Sequence, residues 1–419
     1  MIWVGAIIVL LTFVAIVKRY ETRLVLFLGG LAMAAAAGKP LAAMDAFAKA
    51  MVNEGLVTTI CTVMGFSYVM SVTNCDKHLV HLLAGGLKRV KPILVPGAVV
   101  VTWVLNIALP STAGCAAAVG AVLIPTLIRS GVHPAMAAAC VMSGTFGSTM
   151  SPGLSHNPFV AKLAQVDVMT VIANHAPAVL TVLVIAAPML AMVAYWRKEG
   201  PDAERAAAFQ GDGQDFKVNL LKAVIPALPL LLLVLGSKQI GLIPTVTVPQ
   251  AMIIGAMLGF LATLQSPQEI SKGFFKGMGD SYGDIMGIII AAAVFTQGME
   301  IIGLTGAMIA KMKASQDIAI YAATFGPYFL AILSGSGDAA ALAFNGAVTP
   351  HAAQFGWAIS DMGSLATISG ALGRTMSPVA GGLIVCATIA KVNPFEIAKR
   401  TAPGMVLGVI AVLLVFSMR

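Results

Sequence analysis

Residues Ser143 to Pro152 read SGTFGSTMSP and residues Ser369 to Pro378 read SGALGRTMSP, seven identities in ten at an offset of 226 without a gap. The match has companions. Pro40, Phe47, Lys49 and Met51 recur as Pro267, Phe274, Lys276 and Met278 at a constant offset of 227. Between these anchors, Leu109-Pro110-Ser111-Thr112-Ala113-Gly114 stands opposite Leu333-Ser334-Gly335-Ser336-Gly337-Asp338. The chain therefore reads as two halves with repeat cores at 40–152 and 267–378, and such a repeat constrains every fold that can be assigned.

Composition names the solvent. Of 419 residues, 58% are hydrophobic and 11% charged, with a mean hydropathy of +0.90. A soluble domain carries about a quarter of its residues as charges. Twenty-six basic and 18 acidic side chains cannot coat this chain, so most of its exterior faces lipid. A soluble enzyme, a nucleic-acid binder and a disordered chain are excluded. The formal charge of +8 implies no nucleic-acid partner, because Lys and Arg cluster between apolar runs, where they set orientation.

Each membrane helix needs about 20 mostly apolar residues, and charge-free intervals recur from Met1–Val17 to Thr401–Met418. Pro92–Ile128 and Ser130–Ala161 are too long for one crossing and contain Pro, Gly, Ser and Thr, which predicts broken helices or re-entrant hairpins. The first apolar run is followed by Lys18, Arg19 and Arg23, the reverse of a cleavable signal peptide. It reads as the first helix, with the N-terminus outside and the basic loop inside. The loop holding Lys88, Arg89 and Lys91 then falls on the cytoplasmic side. The polar stretch 197–222 reads as a cytoplasmic linker between membrane halves 1–196 and 223–419. By counting crossings, 39–53 lies outside while its counterpart 265–280 lies inside, which predicts inverted repeats. Inverted repeats with interrupted helices at matching positions point to a secondary transporter and to its substrate site.

The expected architecture is an all-α polytopic membrane protein whose halves each hold a re-entrant hairpin and a broken helix. Pro removes a donor and Gly tolerates unusual dihedrals, so helices break where they cluster, and the freed backbone groups need partners. A half-helix starting near Ser151-Pro152 or Ser377-Pro378 aims N–H groups and a positive dipole end at the midplane, an anion site. A half-helix ending there offers carbonyls to a hard cation such as sodium. Ser111, Thr112, Thr149, Ser151, Ser334, Ser336, Thr375 and Ser377 add hydroxyls for carboxylate oxygens. One isolated Ser or Thr more often bonds its own backbone, but eight in four related stretches point to binding. Gly114 and Gly337 complete the two tips, and Asn157, five residues beyond Pro152, is a weaker candidate.

Charges inside apolar intervals are rarer. Arg374 replaces Ser148 within the decamer, and Asp338 replaces Gly114 at the other break. Arg374 can hold a carboxylate through its planar fork, and Asp338 can carry a coupling proton or coordinate sodium; alternatively the two neutralise each other. Glu300 and Asp361 read as interfacial. Cys61, Cys75, Cys115, Cys140 and Cys386 are scattered and never spaced C-x-x-C. His78 and His81 read as part of a solvated basic loop rather than a metal site. Gly335-Ser336-Gly337 with Ala340 mimics a nucleotide fingerprint but lacks the preceding strand. No catalytic grouping, resident metal or cofactor is expected.

The stretches ALPSTAGCAAAVGAVLIPTL (Ala108–Leu127), GTFGSTMSPGLSHNPFVAKLA (Gly144–Ala164) and GALGRTMSPVAGGL (Gly370–Leu383) resemble the DcuC family of anaerobic four-carbon dicarboxylate transporters, within the ion transporter superfamily. The resemblance implies a homodimer in the bacterial inner membrane, each protomer a scaffold domain and an elevator-type transport domain with two hairpins and two unwound helices. It also implies a substrate of the succinate, fumarate and malate class, moved by symport or antiport with an ion or in exchange. On it rests the substrate role of Ser111, Thr112, Ser334, Ser336 and both TMSP segments, which include Pro152 and Pro378. The alternative is the large permease subunit of a binding-protein-dependent (TRAP-type) carboxylate transporter, which shares the hairpin architecture.

Overall fold

The computed structural model describes residues 1–18, 20–87, 93–208, 216–237, 240–313 and 316–419. Arg19, the basic trio Lys88, Arg89 and Lys91, and the linker stretch 209–215 lie outside the described residues. No strand occurs among the described residues. The first half runs α1 (Ile2–Val17), α2 (Thr22–Ala36), α3 (Pro40–Met51), α4 (Glu54–Val72), α5 (Cys75–Leu87) and α6 (Leu94–Ala108). It continues with α7 (Thr112–Arg129), α8 (Pro134–Gly144), α9 (His156–Ala164) and α10 (Val168–Trp196). Then come α11 (Ala203–Ala208), α12 (Leu220–Val224), α13 (Leu228–Leu235) and α14 (Val248–Thr263). The second half follows as α15 (Pro267–Ser281), α16 (Gly287–Ile301), α17 (Leu304–Lys313) and α18 (Gln316–Ser334). It ends with α19 (Gly337–Ala347), α20 (Ile359–Thr375), α21 (Gly381–Ala390) and α22 (Pro394–Ser417).

Proline punctuates this order. Pro40, Pro134, Pro267 and Pro394 each open a helix, where a missing N–H costs nothing and the fixed φ is helical. Five helical stretches among the described residues are long and apolar enough to cross a membrane: 55–72, Thr112–Arg129, Val168–Trp196, Pro267–Ile301 and Pro394–Ser417. Pro267–Ile301 is continuous, because a single π turn at Tyr282–Met286 joins α15 to α16. The remaining apolar helices are shorter, as interrupted spans are. α6 stops at Ala108 and α7 restarts at Thr112; α18 stops at Ser334 and α19 restarts at Gly337. Gly335 makes the second break with φ +77°, and a Cβ there would lie 2.7 Å from the Val379 carbonyl oxygen, so only glycine fits. At the repeated decamers, α8 tightens into a 3₁₀ turn at Thr145–Met150 and leaves helical form until His156, while α20 ends at Thr375 and α21 begins at Gly381.

The two largest buried apolar clusters each draw on both halves. One joins Leu123, Ile124 and Met136 to Leu383 and Ile397; the other joins Phe146 and Val179 to Phe295, Leu365 and Val409. α2 packs on α16, α4 on α15, α7 on α21, α18 on α20 and α10 on α22. In the last pair Gly404 and Gly408 lie against Ala186 and Val182, the close approach that a G-x-x-x-G spacing permits. Trp3, Val184 and Phe275 are 83%, 72% and 66% exposed, apolar surface that lipid covers at no cost.

An ionic tie closes one end. Glu199, just past α10, receives Arg400 of α22 in a fork of 2.7 Å and 2.5 Å, and Arg197 at 3.1 Å; Arg400 also reaches Glu396 at 2.8 Å. Burial pushes the Glu199 carboxyl up, but its hydrogen bonds from Arg400 and Arg197 outweigh that and hold it below the ordinary value. The sequence placed His78 and His81 in a solvated loop. They sit instead on α5, where His81 stacks on Phe216 at 4.0 Å and His78 Nδ1 accepts the Asn219 N–H at 3.1 Å. An imidazole face offers apolar area as well as nitrogen, and the far end of the linker uses both.

Candidate functional site

Four helix N-termini meet at one cavity of about 300 Å³. Its wall includes Ser111 and Thr112 at the start of α7, Ser155 before α9, Ser336 and Gly337 at the start of α19, and Gly381 and Gly382 at the start of α21. Each N-terminus brings unpaired N–H groups and about half a positive charge. Four of them around one hollow make an anion site before any side chain is counted. Serine suits the tips because it caps: Ser111 Oγ accepts the Gly114 N–H at 3.2 Å, and Ser336 Oγ accepts the Ala339 N–H at 3.1 Å. Gly382 lets the tip of the first hairpin approach, since a Cβ there would lie 2.8 Å from Thr112 Cγ2. Thr112 Oγ1 is buried with no hydrogen-bond partner.

Arg374 and Asp338 also line the cavity. Arg374, at the end of α20, is 7% exposed; its Nη2 donates to the Thr145 carbonyl at 3.1 Å and its Nη1 lies 3.9 Å from Asp338 Oδ1. His156 Nε2 approaches the same carboxylate oxygen at 3.7 Å. Neither distance is a hydrogen bond. Arg374 Nε, Asp338 Oδ1 and both ring nitrogens of His156 are buried without a hydrogen-bond partner.

The structure brings Ser111, Thr112, Ser336, Gly337, Asp338 and Arg374 to this wall, and turns the other sequence candidates toward the backbone. Thr149 Oγ1 donates to the Phe146 carbonyl, Thr375 Oγ1 to Ala371 and Ser334 Oγ to Leu330. Ser377 Oγ crosses to the Ile332 carbonyl at 2.6 Å. Ser151 Oγ accepts the Gly153 N–H at 3.2 Å, and Asn157 Nδ2 donates to the carbonyls of Thr149 and Ser151. Pro152 borders a separate hollow of about 20 Å³, Pro378 is half-buried in the turn after α20, and Gly114 opens on a larger neighbouring cavity. Of these side chains, Asn157 and Ser377 satisfy carbonyls that the breaks release, while Thr149, Thr375 and Ser334 bond back into their own helical turns.

Sequence reasoning missed several wall and support residues. Tyr68, Asp280, Ser281 and Asp284 form the wall on the α4 and α15 side, with Tyr68 donating to Asp280 at 2.5 Å. Asn106 spans the first break, donating to the Leu109 carbonyl at 2.9 Å and accepting the Ser148 N–H at 2.7 Å. His175 joins the Thr149 carbonyl at 2.9 Å to Ser364 Oγ at 3.1 Å. His156 had a usable signal: at the same offset of 226 that sets Arg374 against Ser148, it stands opposite Gly382.

The site adjoins a second cavity. A cavity of about 530 Å³ shares Met64, Tyr68 and Ser111 with it and runs between α4 and α7 to Asp76 and Lys77. α16 and α19 pack directly on each other, and a Cβ on Gly346 would lie in van der Waals contact with Ala292 Cβ at 3.6 Å.

Residues 4–418 match the family model described as DcuC, C4-dicarboxylate anaerobic carrier. A Haemophilus influenzae protein described as an "uncharacterized transporter" is 42% identical over 271 residues, covering 62% of this chain and 97% of that protein. A second from the same organism, described in the same words, is 51% identical over 134 residues, covering 32% of this chain and 92% of its own length. The "Anaerobic C4-dicarboxylate transporter DcuC" of Escherichia coli K12 is 24% identical over 369 residues, covering 84% and 78%.

Proposed function

The chain belongs to the DcuC family of C4-dicarboxylate anaerobic carriers, and is thus a transporter rather than an enzyme; from that premise we propose that it moves a small dicarboxylate of the succinate, fumarate and malate class by alternating access. The observation that carries the reading is the convergence of four helix N-termini and Arg374 on one cavity that adjoins a second, larger one. Its volume lies at the low end for small-molecule sites, about 300–1,000 Å³, which suits a short diacid. Arg374 holds one carboxylate. The N-termini of α7 and α19, with Thr112, Ser111 and Ser336, hold the other, and Asp338, beside Arg374, couples that binding to an ion, a proton or sodium.

An elevator built on inverted repeats fits the packing. From α2 onward, helices twelve apart in order occupy matching places, α3 with α15 and α10 with α22, and their packings come in exchanged pairs. α3 lies on α16 as α15 lies on α4; α7 lies on α21 as α19 lies on α9; α10 and α22 lie on each other. A pseudo-twofold axis generates such pairs. Some pairs lack a counterpart, and one of them borders the site: α16 packs on α19, whereas α4 and α7 border the larger cavity. We read this as one end state, whose counterpart closes α4 on α7 and parts α16 from α19. With the basic loops cytoplasmic, the opening faces the cytoplasm and the N-terminus the periplasm. The scaffold, the homodimer and the inner-membrane location come with the family resemblance.

The test is uptake by the purified chain in proteoliposomes, using labelled succinate, fumarate, malate and longer diacids while pH and sodium gradients are varied separately. Uptake of four-carbon diacids by the chain alone is expected. Failure to bind or move any of them overturns the reading. None of the relatives above is described as a binding-protein-dependent permease, and that alternative has no support.

A further inference from the structure

We propose that His156 is a proton-operated switch: protonated, it draws Asp338 away from Arg374 and frees the guanidinium for a substrate carboxylate, so that anion and proton bind together. The proposal rests on reading the cavity as a carboxylate site and names how that site is controlled.

Three side chains from three helices meet here. His156 opens α9 and is 3% exposed, Asp338 is in the first turn of α19, and Arg374 is in the last turn of α20. Each is present in one half of the repeat only, since Gly382, Gly114 and Ser148 stand in the matching places. A structural ion cluster closes its hydrogen bonds, because a buried polar group left unpaired loses its hydration with nothing in return. This one leaves them open. Asp338 Oδ1 stands between His156 Nε2 at 3.7 Å and Arg374 Nη1 at 3.9 Å, bonded to neither, while the Asp338 side chain remains 41% exposed. A carboxylate held midway, with free surface beside it, can turn toward either neighbour.

Charge decides which. With neutral His156, Arg374 and Asp338 cancel, and the cluster has nothing to offset an incoming carboxylate. A proton from hydronium in the cavity, reaching the buried ring past the part-exposed Asp338 carboxylate, adds to Nε2; the new N–H donates to Asp338 Oδ1, and Arg374 is left to the substrate. The cluster then carries one positive charge against the one substrate carboxylate it receives, the other lying at the helix N-termini. By linkage, whatever the proton does for the anion the anion does for the proton.

The helices packed on α9 bring other titratable groups, most of them already engaged. α4 carries Cys61 and Tyr68, the latter bound to Asp280; α10 carries His175, held by Thr149 and Ser364, and Asp167 at its N-cap. α20 also carries Asp361, paired with Arg419, and the 3₁₀ segment Thr349–Phe355 carries His351. Lys162, at the far end of α9, donates to Asn53. The charges that act on the His156 ring are those of Asp338 and Arg374.

The experiment is calorimetric binding of succinate to the purified protein between roughly pH 5.5 and 8, the range in which histidine titrates, repeated in buffers of different ionisation enthalpy to count protons. Up to one proton taken up per succinate is expected, with Kd rising toward about tenfold per pH unit in the alkaline part of that range. H156Q should bind with a flat pH profile and no proton uptake. D338N, in which Arg374 is never sequestered, should lose the alkaline weakening and hold succinate tightly at the upper end of the range. Wild-type binding without proton uptake overturns the switch, as does H156Q that keeps the wild-type proton count. If H156Q fails to fold, a wild-type alkaline weakening retained in D338N is equally fatal. Wild-type protein that binds no four-carbon diacid at any pH overturns the carrier reading itself.

Discussion

A guanidinium at 7% exposure with Nε unpartnered is costly to keep unless something completes it. If the substrate carboxylate completes it, as proposed above, its removal has a definite size. Hydrogen bonds to charged groups contribute about 1.5–3 kcal/mol, so Arg374→Ala should weaken succinate binding about tenfold to a hundredfold by calorimetry. Arg374→Lys should fall between, because a point charge lacks the planar fork. Equal affinity in all three proteins would remove Arg374 from the site. The hydroxyls divide by what they touch. Thr112→Val removes a buried, unpartnered Oγ1 on the cavity wall and should lower affinity up to about tenfold with Tm unchanged. Ser377→Ala removes the bond to the Ile332 carbonyl and should lower Tm with Kd unchanged. The reverse pattern would assign binding to the TMSP serines.

Among the elements, the breaks were legible and the direction of their side chains was not. Pro152, Pro378 and the Gly-Ser tips announce interrupted helices, and the helices do stop at Ala108, Ser334 and Thr375. Counting hydroxyls in those stretches failed to separate Thr112 from Thr149. Both are threonines beside a break, but a break also frees carbonyls, and whichever side chain lies nearest must satisfy them. His156 and His175 were invisible as single histidines in apolar runs; only their partners, which are distant in sequence, give them meaning. The Glu199 tie is also an element-scale device, since it fastens the end of α10 to the start of α22. Glu199→Gln should lower stability by about 3 kcal/mol, the low end for removing one partner of a buried pair, because Glu396 still faces Arg400. The folded Glu199 carboxyl sits below its ordinary 4.5, so this stabilisation is complete above that value and is lost as pH falls through the lowered one. Wild type and variant should therefore differ in Tm near neutral pH and converge in acid; identical values near neutral would refute the tie.

For the whole molecule, the decisive feature is the mismatch between two packings that the repeat makes equivalent. α16 on α19 is closed, and the gap between α4 and α7 is open. A rigid channel has no use for that difference, whereas a carrier must exchange the two. The closed side offers a direct lock: with Gly346 and Ala292 at 3.6 Å between Cβ positions, a cysteine pair there falls within disulfide geometry. The measurement is succinate uptake by Gly346→Cys, Ala292→Cys in proteoliposomes, on a background from which the five native cysteines have been removed. Oxidation should abolish uptake and reduction restore it, with the single-cysteine proteins unaffected. Full uptake by protein shown to be cross-linked would mean that α19 does not leave α16 during transport, and would contradict alternating access between these two packings.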